Sequence, residues 1–354
     1  MAIMVRKCLC GLNAEEIFSI IGPSGFTPFH AVSISNSIYK KSTGEISQIT
    51  KIPRKLKEKL ASDTYIGIFM PVGLEVSVDK TVKYLFRTET GKEFETVYIP
   101  DNKRNTVCVS TQSGCRIGCQ FCVTARYGFR GNLSAGEIVN QIISIPDARK
   151  VTHVVFMGMG EPFDNLENVL KACEIITAGW GLAISPRNVT VSTVGLTPWI
   201  EKFLESSDCN LTLSLYSPFT EERKMAVPIE KQHPVHKIIE VMRNYPVKKK
   251  RRLSIAYVMI KDLNDTDNHL EGLKALLKDS KIRINLLPYH SVRNDPNSSS
   301  SAEKMQYFKH NLIVSGISAS IRKSRGIDIS AACGLLATDL LIEKCIHPDI
   351  HRMS

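Results

Sequence analysis

The chain has 354 residues, of which 43% are hydrophobic and 23% are charged, a balance typical of an ordinary soluble globular protein. No apolar run approaches the roughly 18 residues that a membrane span needs, and the N-terminus lacks the pattern of a signal peptide. We therefore expect a cytoplasmic protein without membrane contact. The net charge of +11 favours a polyanionic partner, and ten cysteines, three of them clustered, indicate a reduced compartment with metal-binding or catalytic thiols.

Residues 1–78 are predicted to form a small helical accessory domain. Asn13 and Glu16 have the spacing of a capping box, which marks the start of a helix. Another helix is predicted from Ile52 to Leu60, and it has a strongly basic polar face made of Lys51, Arg54, Lys55, Lys57 and Lys59. A solvated surface and a phosphate-binding surface explain that face equally well.

In residues 79–107 apolar and polar residues alternate with a period of two, which predicts a β-hairpin extension. Val82, Tyr84 and Phe86 alternate with polar residues, a turn follows around Gly91, and a second apolar alternation ends at Ile99. This hairpin leads directly into the next part of the chain.

Strands and helices alternate from residue 108 to residue 337, and residues 338–354 are predicted to form a C-terminal tail. The predicted strands begin at Val107, Val151, Asn188, Asn210, Leu253, Ile282 and Ser318. The predicted helices begin at Ala135, Asn165, Pro198, Val235, Asn268 and Ala302. Repeated β–α units with apolar strands are typical of a parallel sheet covered by helices. The predicted class is therefore α/β, with a partial (β/α)6 barrel of the TIM type.

Three thiols at the start of this region, Cys115, Cys119 and Cys122, are spaced for a metal site. Thiolates suit zinc, copper(I) and iron–sulfur clusters, but structural zinc usually takes four ligands and the chain has no second Cys-x-x-Cys pair. A [4Fe-4S] cluster held by three cysteines leaves one iron open. The spacing, with Phe121 before the last thiol, resembles the signature of radical S-adenosylmethionine (SAM) enzymes. A zinc site with a remote ligand and chance clustering are the alternatives.

Polar and glycine residues follow several predicted strands at the end where β/α barrels build their active sites. These residues are Gly160, Glu161, Ser192, Ser214, Leu215, Tyr216 and Asn285. Each alone is explained as a turn or capping residue. Together they predict a SAM-binding rim, in which glycines allow close backbone approach, a carboxylate meets the ammonium group, and hydroxyls and an amide meet the ribose and carboxylate.

The order of several longer stretches resembles the RlmN/Cfr family of radical SAM RNA methyltransferases. The matching stretches are Glu95-Thr-Val-Tyr-Ile-Pro100, Cys108-Val-Ser-Thr-Gln-Ser-Gly-Cys115, Phe156-Met-Gly-Met-Gly-Glu-Pro162, Val191-Ser-Thr193, Ser214-Leu-Tyr-Ser-Pro218, Asn285-Leu-Leu-Pro288 and Asp328-Ile-Ser-Ala-Ala-Cys-Gly334. The resemblance implies a radical SAM barrel whose three clustered cysteines hold a [4Fe-4S] cluster and whose rim binds SAM. It also implies a reductant protein such as flavodoxin or ferredoxin, and a monomer.

The same resemblance assigns the reactive groups. Cys333 would take a methyl group from one SAM and carry it as S-methylcysteine, and a second SAM would yield a radical that activates this methyl. The carbon would then add to carbon 2 or carbon 8 of an adenine in large-subunit ribosomal RNA or in transfer RNA. Cys108 would release the product by forming a disulfide with Cys333. Glu95 would remove the ring proton as general base.

Two positions depart from the family pattern, because Tyr216 stands where the family usually has His and Leu335 where it usually has Gln. Basic residues at 248–252, near Lys55 and at Arg322, Lys323 and Arg325 would contact RNA phosphates, although each group alone is more often a solvated face. The competing functions are a glycyl-radical activase and a non-catalytic RNA-binding relative. The complete set of Cys108, Cys333 and Glu95 argues against both.

Overall fold

The computed structural model describes residues 6–22, 25–246, 251–291 and 295–336. Its fourteen strands within these ranges are β1 Lys7–Cys8, β2 Thr64–Tyr65, β3 Gly73–Val76, β4 Val82–Arg87, β5 Glu93–Ile99, β6 Thr106–Cys108, β7 Gln112–Ser113, β8 Gly131–Asn132, β9 His153–Phe156, β10 Val189–Thr193, β11 Asn210–Leu215, β12 Leu253–Met259, β13 Arg283–Pro288 and β14 Ala319–Ile321. The predicted C-terminal tail and residues 248–250 of the predicted basic stretch lie outside the described residues.

The main sheet has ten strands in the described ranges, in the order β14-β13-β12-β11-β10-β9-β6-β5-β4-β3. Strands β6 and β9 to β14 are parallel neighbours. Strands β3 to β6 form an antiparallel meander that extends this parallel sheet. The predicted partial barrel of β/α units is confirmed. It is an open barrel, because its edge strands β3 and β14 are not paired with each other among the described residues.

The described helices are α1 Ala14–Ile21, α2 Pro28–Tyr39, α3 Arg54–Asp63, α4 Val123–Tyr127, α5 Ala135–Ile143, α6 Leu166–Thr177, α7 Thr197–Ser206, α8 Thr220–Ala226, α9 Val235–Asn244, α10 Asp267–Leu277 and α11 Ala302–Val314. The predicted barrel strands and helices begin within two residues of these positions. Strand β11 is buried along almost its whole length, as expected for a parallel strand that is covered on both faces, although its sequence Asn-Leu-Thr-Leu-Ser-Leu alternates polar and apolar residues. None of the helices in the described ranges combines the length and apolar character needed to cross a membrane.

Local capping explains where two helices begin. Asn13 accepts a hydrogen bond from the Glu16 N–H at 2.9 Å, and the Glu16 carboxylate accepts one from the Asn13 N–H at 2.8 Å. Ser134 and Glu137 make the same reciprocal pair at the start of α5. Both capping boxes satisfy amide groups that have no partner inside the helix, and the predicted box at Asn13 and the predicted helix start at Ala135 are confirmed.

The prediction that residues 1–78 are helical is correct for α1, α2 and α3 and wrong for the three strands β1, β2 and β3. Strand β1 pairs in parallel with β2, and β3 pairs with β4 in the main sheet. Two-residue strands are too short to show a period. The predicted domain boundary after residue 78 therefore falls in the turn between β3 and β4.

A set of hydrogen bonds, here called the clasp, connects the β3–β4 turn to the segment after β14. The Ser77 hydroxyl and the Val78 N–H donate to Asp328 at 2.5 and 3.0 Å, and the Gly326 N–H donates to Asp79 at 3.1 Å. Burial alone would raise the pKa of Asp79, but bonds from Thr81, Gly326 and Ser77 outweigh it and lower this pKa to about 2. The clasp joins the two edges of the open barrel through side chains instead of strand pairing.

We predict that Asp79→Asn lowers the free energy of unfolding by about 1 kcal/mol at pH 7, because a charged acceptor of several hydrogen bonds is lost. The folded pKa is depressed, so this stabilisation is complete above pH 3.8 and is lost as the pH falls toward 2. Urea unfolding of the wild type and of Asp79→Asn from pH 7 to pH 3 measures this difference in the free energy of unfolding. Asp279→Asn, at an exposed turn, is the control, and equal stabilities of wild type and Asp79→Asn at pH 7 would contradict the prediction.

Candidate active site

A cavity lies at the carboxyl ends of the parallel strands, where the architecture predicts it. It is lined by residues of the loop after β6, of the ends of β9 to β13 and of the segment after β14. Most of the predicted site residues are among them: Cys115, Cys119, Cys122, Gly160, Glu161, Ser192, Ser214, Leu215, Tyr216 and Cys333. Asn285, Cys108 and Glu95 lie outside this lining.

The cysteine loop is held from two sides. The Gln120 N–H donates to the carbonyl of Ala226 at 3.0 Å, which attaches the loop to the end of α8. The Val123 N–H donates to the carbonyl of Gly334 at 2.9 Å, which attaches it to the segment that carries Cys333. Cys119 is buried against Ala226 and Val227, so the loop has an apolar wall. The positions of the thiols are therefore set by distant parts of the chain.

The three thiols of the loop face the same cavity and interact electrostatically. Burial raises the pKa of Cys115 to about 12 and also raises that of Cys119, and the charge of Cys122 raises both further. Among the described residues, no three His, Cys, Asp or Glu side chains converge on a position for a single metal ion. Three soft ligands around one open, apolar-walled space fit a polynuclear iron–sulfur cluster.

Glu161 presents a buried carboxylate to the cavity. One oxygen accepts a hydrogen bond from the Phe163 N–H at 2.9 Å and the other from the Val194 N–H at 3.0 Å. Burial raises its pKa to about 7, although these bonds and one from Thr193 oppose the shift. A cationic group bound beside it would favour the charged form. The carboxylate is thus placed to respond to an ammonium group in the cavity.

Two glycines let the chain after β9 pass close to the loop after β6. A Cβ atom at Gly160, where φ is +95°, would lie 2.5 Å from the Cβ of Gln112. A Cβ at Gly158 would lie 2.7 Å from the Ser110 hydroxyl and 2.8 Å from the Val109 carbonyl oxygen. Gln112 also accepts a hydrogen bond from the Glu161 N–H at 2.9 Å. Close backbone approach, which was predicted for this motif, here serves packing between two loops.

The predicted rim serines meet, whereas the predicted amide lies to one side. The hydroxyls of Ser192 and Ser214 are 3.0 Å apart. Ser214, Ala256 and Asn285 are register neighbours on three successive strands, and Ala256 lines the cavity. Asn285 is on β13, two residues before the lining residue Leu287, and its side-chain oxygen accepts a hydrogen bond from Ser320 at 2.8 Å.

The two departures from the family pattern have different environments. The ring of Tyr216 stacks on that of Phe121, with centroids 5.3 Å apart and planes 11° apart. It therefore forms a wall of the cavity beside the cysteine loop. Leu335 is buried with Val123 and Ala332 and does not line the cavity. Leu335 therefore contributes to packing, while its neighbours Cys333 and Gly334 face the cavity.

Cys333 and Cys108 are brought together from opposite ends of the barrel region. Cys333 is solvent-accessible but opens into the cavity, so surrounding protein raises its thiol pKa while Arg322 opposes the shift. Cys108, at the end of β6, is buried, and this burial together with the nearby Cys333 raises its pKa. One buried and one accessible thiol therefore share the same region of the barrel.

Glu95 lies deeper than the cavity lining. It is part of β5, its side chain is 3% exposed, and its carboxylate lies 3.6 Å from the Nζ atom of Lys83. Its backbone carbonyl accepts a hydrogen bond from the Ser110 hydroxyl at 2.5 Å, which fixes β5 against the start of the cysteine loop. The sequence did not indicate its ion pair with Lys83.

Arg223 is a site residue that the sequence analysis missed. It is fully buried in α8, its Nε atom lies 2.6 Å from Glu230, and its guanidinium donates to the carbonyls of Ser214 and Val194. Burial lowers its pKa, and the charge of Glu230 opposes this shift. Its charged neighbours Glu221, Glu222 and Lys224 give no local signal that this arginine is buried.

Some residues of the predicted phosphate-binding stretches serve the fold instead. Arg251 is buried and donates hydrogen bonds to the carbonyls of Leu204, Ser207 and Cys209, so its assignment to an RNA-binding surface is wrong. In α3, Lys57 donates to a backbone carbonyl at 2.8 Å and so does Lys59 at 2.7 Å. Arg322 and Lys323 are exposed on the segment that leads to Cys333.

Comparisons with known proteins agree with this geometry. A profile of the radical SAM superfamily matches residues 109–273. A Phocaeicola vulgatus protein named probable dual-specificity RNA methyltransferase RlmN is 43% identical, over 94% of this chain and 95% of its own length. The dual-specificity RNA methyltransferase RlmN of Campylobacter hominis is 38% identical, over 96% of this chain and 99% of its own length. The crystal structure of a radical SAM methyltransferase from Sphaerobacter thermophilus is 35% identical, covers 94% of this chain and 99% of its own, and has a TM-score of 0.86.

The partial barrel and its loop of three cysteines define a radical SAM protein. Because the similarity extends over nearly the whole length of both chains, this chain belongs to the RlmN/Cfr family of radical SAM RNA methyltransferases. The predicted family is confirmed. Membership implies a [4Fe-4S] cluster and SAM as cofactors.

We predict that Gly160→Ala lowers the free energy of unfolding by about 2 kcal/mol or more, because its φ is positive and its Cβ would clash with Gln112. Urea unfolding measures this. Gly179→Ala is the matched control, because no atom lies within 4 Å of its added Cβ. Equal stability of the two variants would refute the packing role of Gly160.

Arg223→Met should lower the free energy of unfolding by about 3–5 kcal/mol, because it leaves the Glu230 carboxylate buried without its partner. The double variant Arg223→Met, Glu230→Met should lose less free energy of unfolding, since neither charge of the buried pair then remains. Lys224→Met, which removes an exposed pair in the same helix, should change stability by less than about 1 kcal/mol. A single variant at Arg223 as stable as Lys224→Met would contradict this.

Proposed function

We propose that this chain is a SAM-dependent radical methyltransferase that methylates carbon 2 or carbon 8 of an adenine in large-subunit ribosomal RNA and in transfer RNA. The observation that carries the proposal is the placement of Cys333 in a cavity shared with three cluster-type cysteines, with Cys108 close enough to interact with it electrostatically. The relatives' name, dual-specificity RNA methyltransferase, supports two classes of RNA substrate.

Cys115, Cys119 and Cys122 would hold the [4Fe-4S] cluster, and SAM would occupy the rest of the cavity. When bound, these cofactors would supply one-electron chemistry and the methyl group, with two SAM molecules used per turnover. Glu161 would meet the ammonium group of SAM, and Ser192 and Ser214 its polar oxygens. Phe121 and Tyr216 would exclude water from the same space. Asn285 would contribute from the adjacent strand.

Radical chemistry suits this substrate, because carbons 2 and 8 of adenine are poor nucleophiles and ordinary methyl transfer from SAM fails there. Cys333 would carry the methyl group as S-methylcysteine and join it to the ring carbon, so that protein and RNA are briefly linked. Cys108 would then attack the sulfur of Cys333, and the disulfide that forms would release the methylated base. The electrostatic interaction between the two thiols supports this step.

The remaining groups would serve proton transfer and RNA binding. Glu95 would remove the ring proton as general base, from its buried position on β5. Exposed Arg322 and Lys323, close to Cys333 in sequence, would hold RNA phosphates, and the helices of residues 1–78 would add contacts. A reductant protein such as flavodoxin or ferredoxin would deliver electrons to a monomeric, cytoplasmic enzyme.

Peptide mass spectrometry after reconstitution with iron and sulfide and addition of methyl-labelled SAM tests the methyl-carrier step. We expect label on Cys333 in the wild type, none in Cys333→Ala, and normal label in the buried control Cys173→Ala. SAM cleavage without label on Cys333 would overturn the proposal and favour another class of radical SAM enzyme. Mass spectrometry and NMR of adenosine from treated ribosomal and transfer RNA would then identify the methylated carbon.

A further inference from the structure

A buried ammonium group lies between two carboxylates on the inner side of the antiparallel meander. The side chain of Lys83 is 3% exposed, and its Nζ atom lies 3.6 Å from Glu95 and 3.4 Å from Glu75. These three residues come from three neighbouring strands, because Glu75 is the register partner of Lys83 and Glu95 lies on the next strand. The three side chains therefore form a continuous line of charge across β3, β4 and β5.

The lysine at the centre of this line is unusual in its hydrogen bonding. Its Nζ atom is buried and has no hydrogen-bond partner among the described residues, although both carboxylates lie within ion-pair distance. Burying a charged group without hydrogen bonds costs several kcal/mol, so packing alone does not account for a lysine here. Its N–H groups can turn toward either carboxylate.

The two carboxylates differ in their access to solvent. The side chain of Glu95 is 3% exposed, whereas that of Glu75 is 43% exposed on the edge strand of the sheet. A proton taken up by Glu95 has no direct route to water from that position. The line through Lys83 ends at a carboxylate that does contact water.

We propose that Lys83 and Glu75 form the path by which the proton taken up by Glu95 leaves the enzyme. The proposal rests on the proposed function, in which Glu95 removes the ring proton of the methylated adenine. Glu95 would touch the substrate, and Lys83 and Glu75 would act through it as positioning residues.

The transfer balances without any further reactant. Glu95 gains the ring proton and becomes a neutral acid. Lys83 donates one of its protons to Glu75 and receives the proton of Glu95, so it stays a cation and Glu95 returns to its carboxylate. Glu75 then releases its proton to water, and one proton has moved from the ring to solvent.

The test follows the covalent protein–RNA species over successive turnovers, because each new breakdown requires a Glu95 that has already released the proton of the turnover before. Enzyme reconstituted with its cluster and methylated on Cys333 is mixed with excess substrate RNA, SAM and reductant, and denaturing gels follow the linked species with time. We expect Lys83→Met and Glu75→Gln each to slow its breakdown at least tenfold after the first turnover, while label on Cys333 stays at the wild-type level.

Two further variants separate a proton path from a structural role. Glu75→Asp keeps a carboxylate at the exposed end and should restore most of the wild-type breakdown rate. Glu93→Gln makes the same chemical change two residues from Glu95, at a carboxylate paired with Arg87 instead of Lys83, and should leave the rate unchanged. Circular dichroism and Cys333 labelling confirm that each variant is folded.

The possible outcomes are distinct. Slow breakdown in Lys83→Met with a normal rate in Glu75→Gln overturns the path, because Lys83 then acts on Glu95 through its charge alone and passes no proton to Glu75. Normal rates in both variants, with methylated RNA formed, overturn the path and leave the proposed function intact. Failure of the wild type to form either the linked species or methylated RNA overturns the proposed function, and the path with it.

Discussion

The ion pair between Arg223 and Glu230 is the interaction on which the geometry of the cavity depends. The guanidinium binds carbonyls at the ends of β10 and β11, and the Glu230 carboxylate also accepts the Val235 N–H at 2.9 Å, at the start of α9. A buried ion pair gains stability only when its remaining hydrogen-bonding groups are satisfied, and these contacts satisfy them. The pair therefore fixes two strand ends, and α8 in turn supports Cys119 through its apolar contact with Ala226.

Much of the fold could be predicted because its signals are local. Strands β9 to β13 have four to seven residues with recurring apolar side chains, and Ser134 and Glu137 mark the start of α5 by their spacing alone. The short helices α4 and α8 and the strands β1, β2 and β3 lack such a period. They form because distant segments supply their partners, as Thr64 does for Lys7. A pattern read along the chain contains no information about that pairing.

The residues of the candidate site also divide into those that local patterns could predict and those that they could not. Glu161, Ser192 and Ser214 follow strands that could be predicted, so their arrival at one cavity could be predicted as well. The pairing of Lys83 with Glu95 depends on the register between β4 and β5, and the burial of Arg251 depends on carbonyls more than forty residues away in sequence. Such contacts can be identified only in the folded structure, because the order of residues along the chain does not indicate them. The roles of Cys333, Cys108 and Glu95 stay predictions.

The clasp sets a limit on how far Cys333 can travel. The segment from Gly326 to Leu336 is tethered at one end by Asp328 and at the other by bonds to Val123 and Thr124. The hydrogen bonds on both sides restrain the sulfur near the cavity. Under the proposed function, the adenine must therefore come to the sulfur. Selection among RNA sites would then depend on the free energy needed to unstack and extrude that base in each RNA.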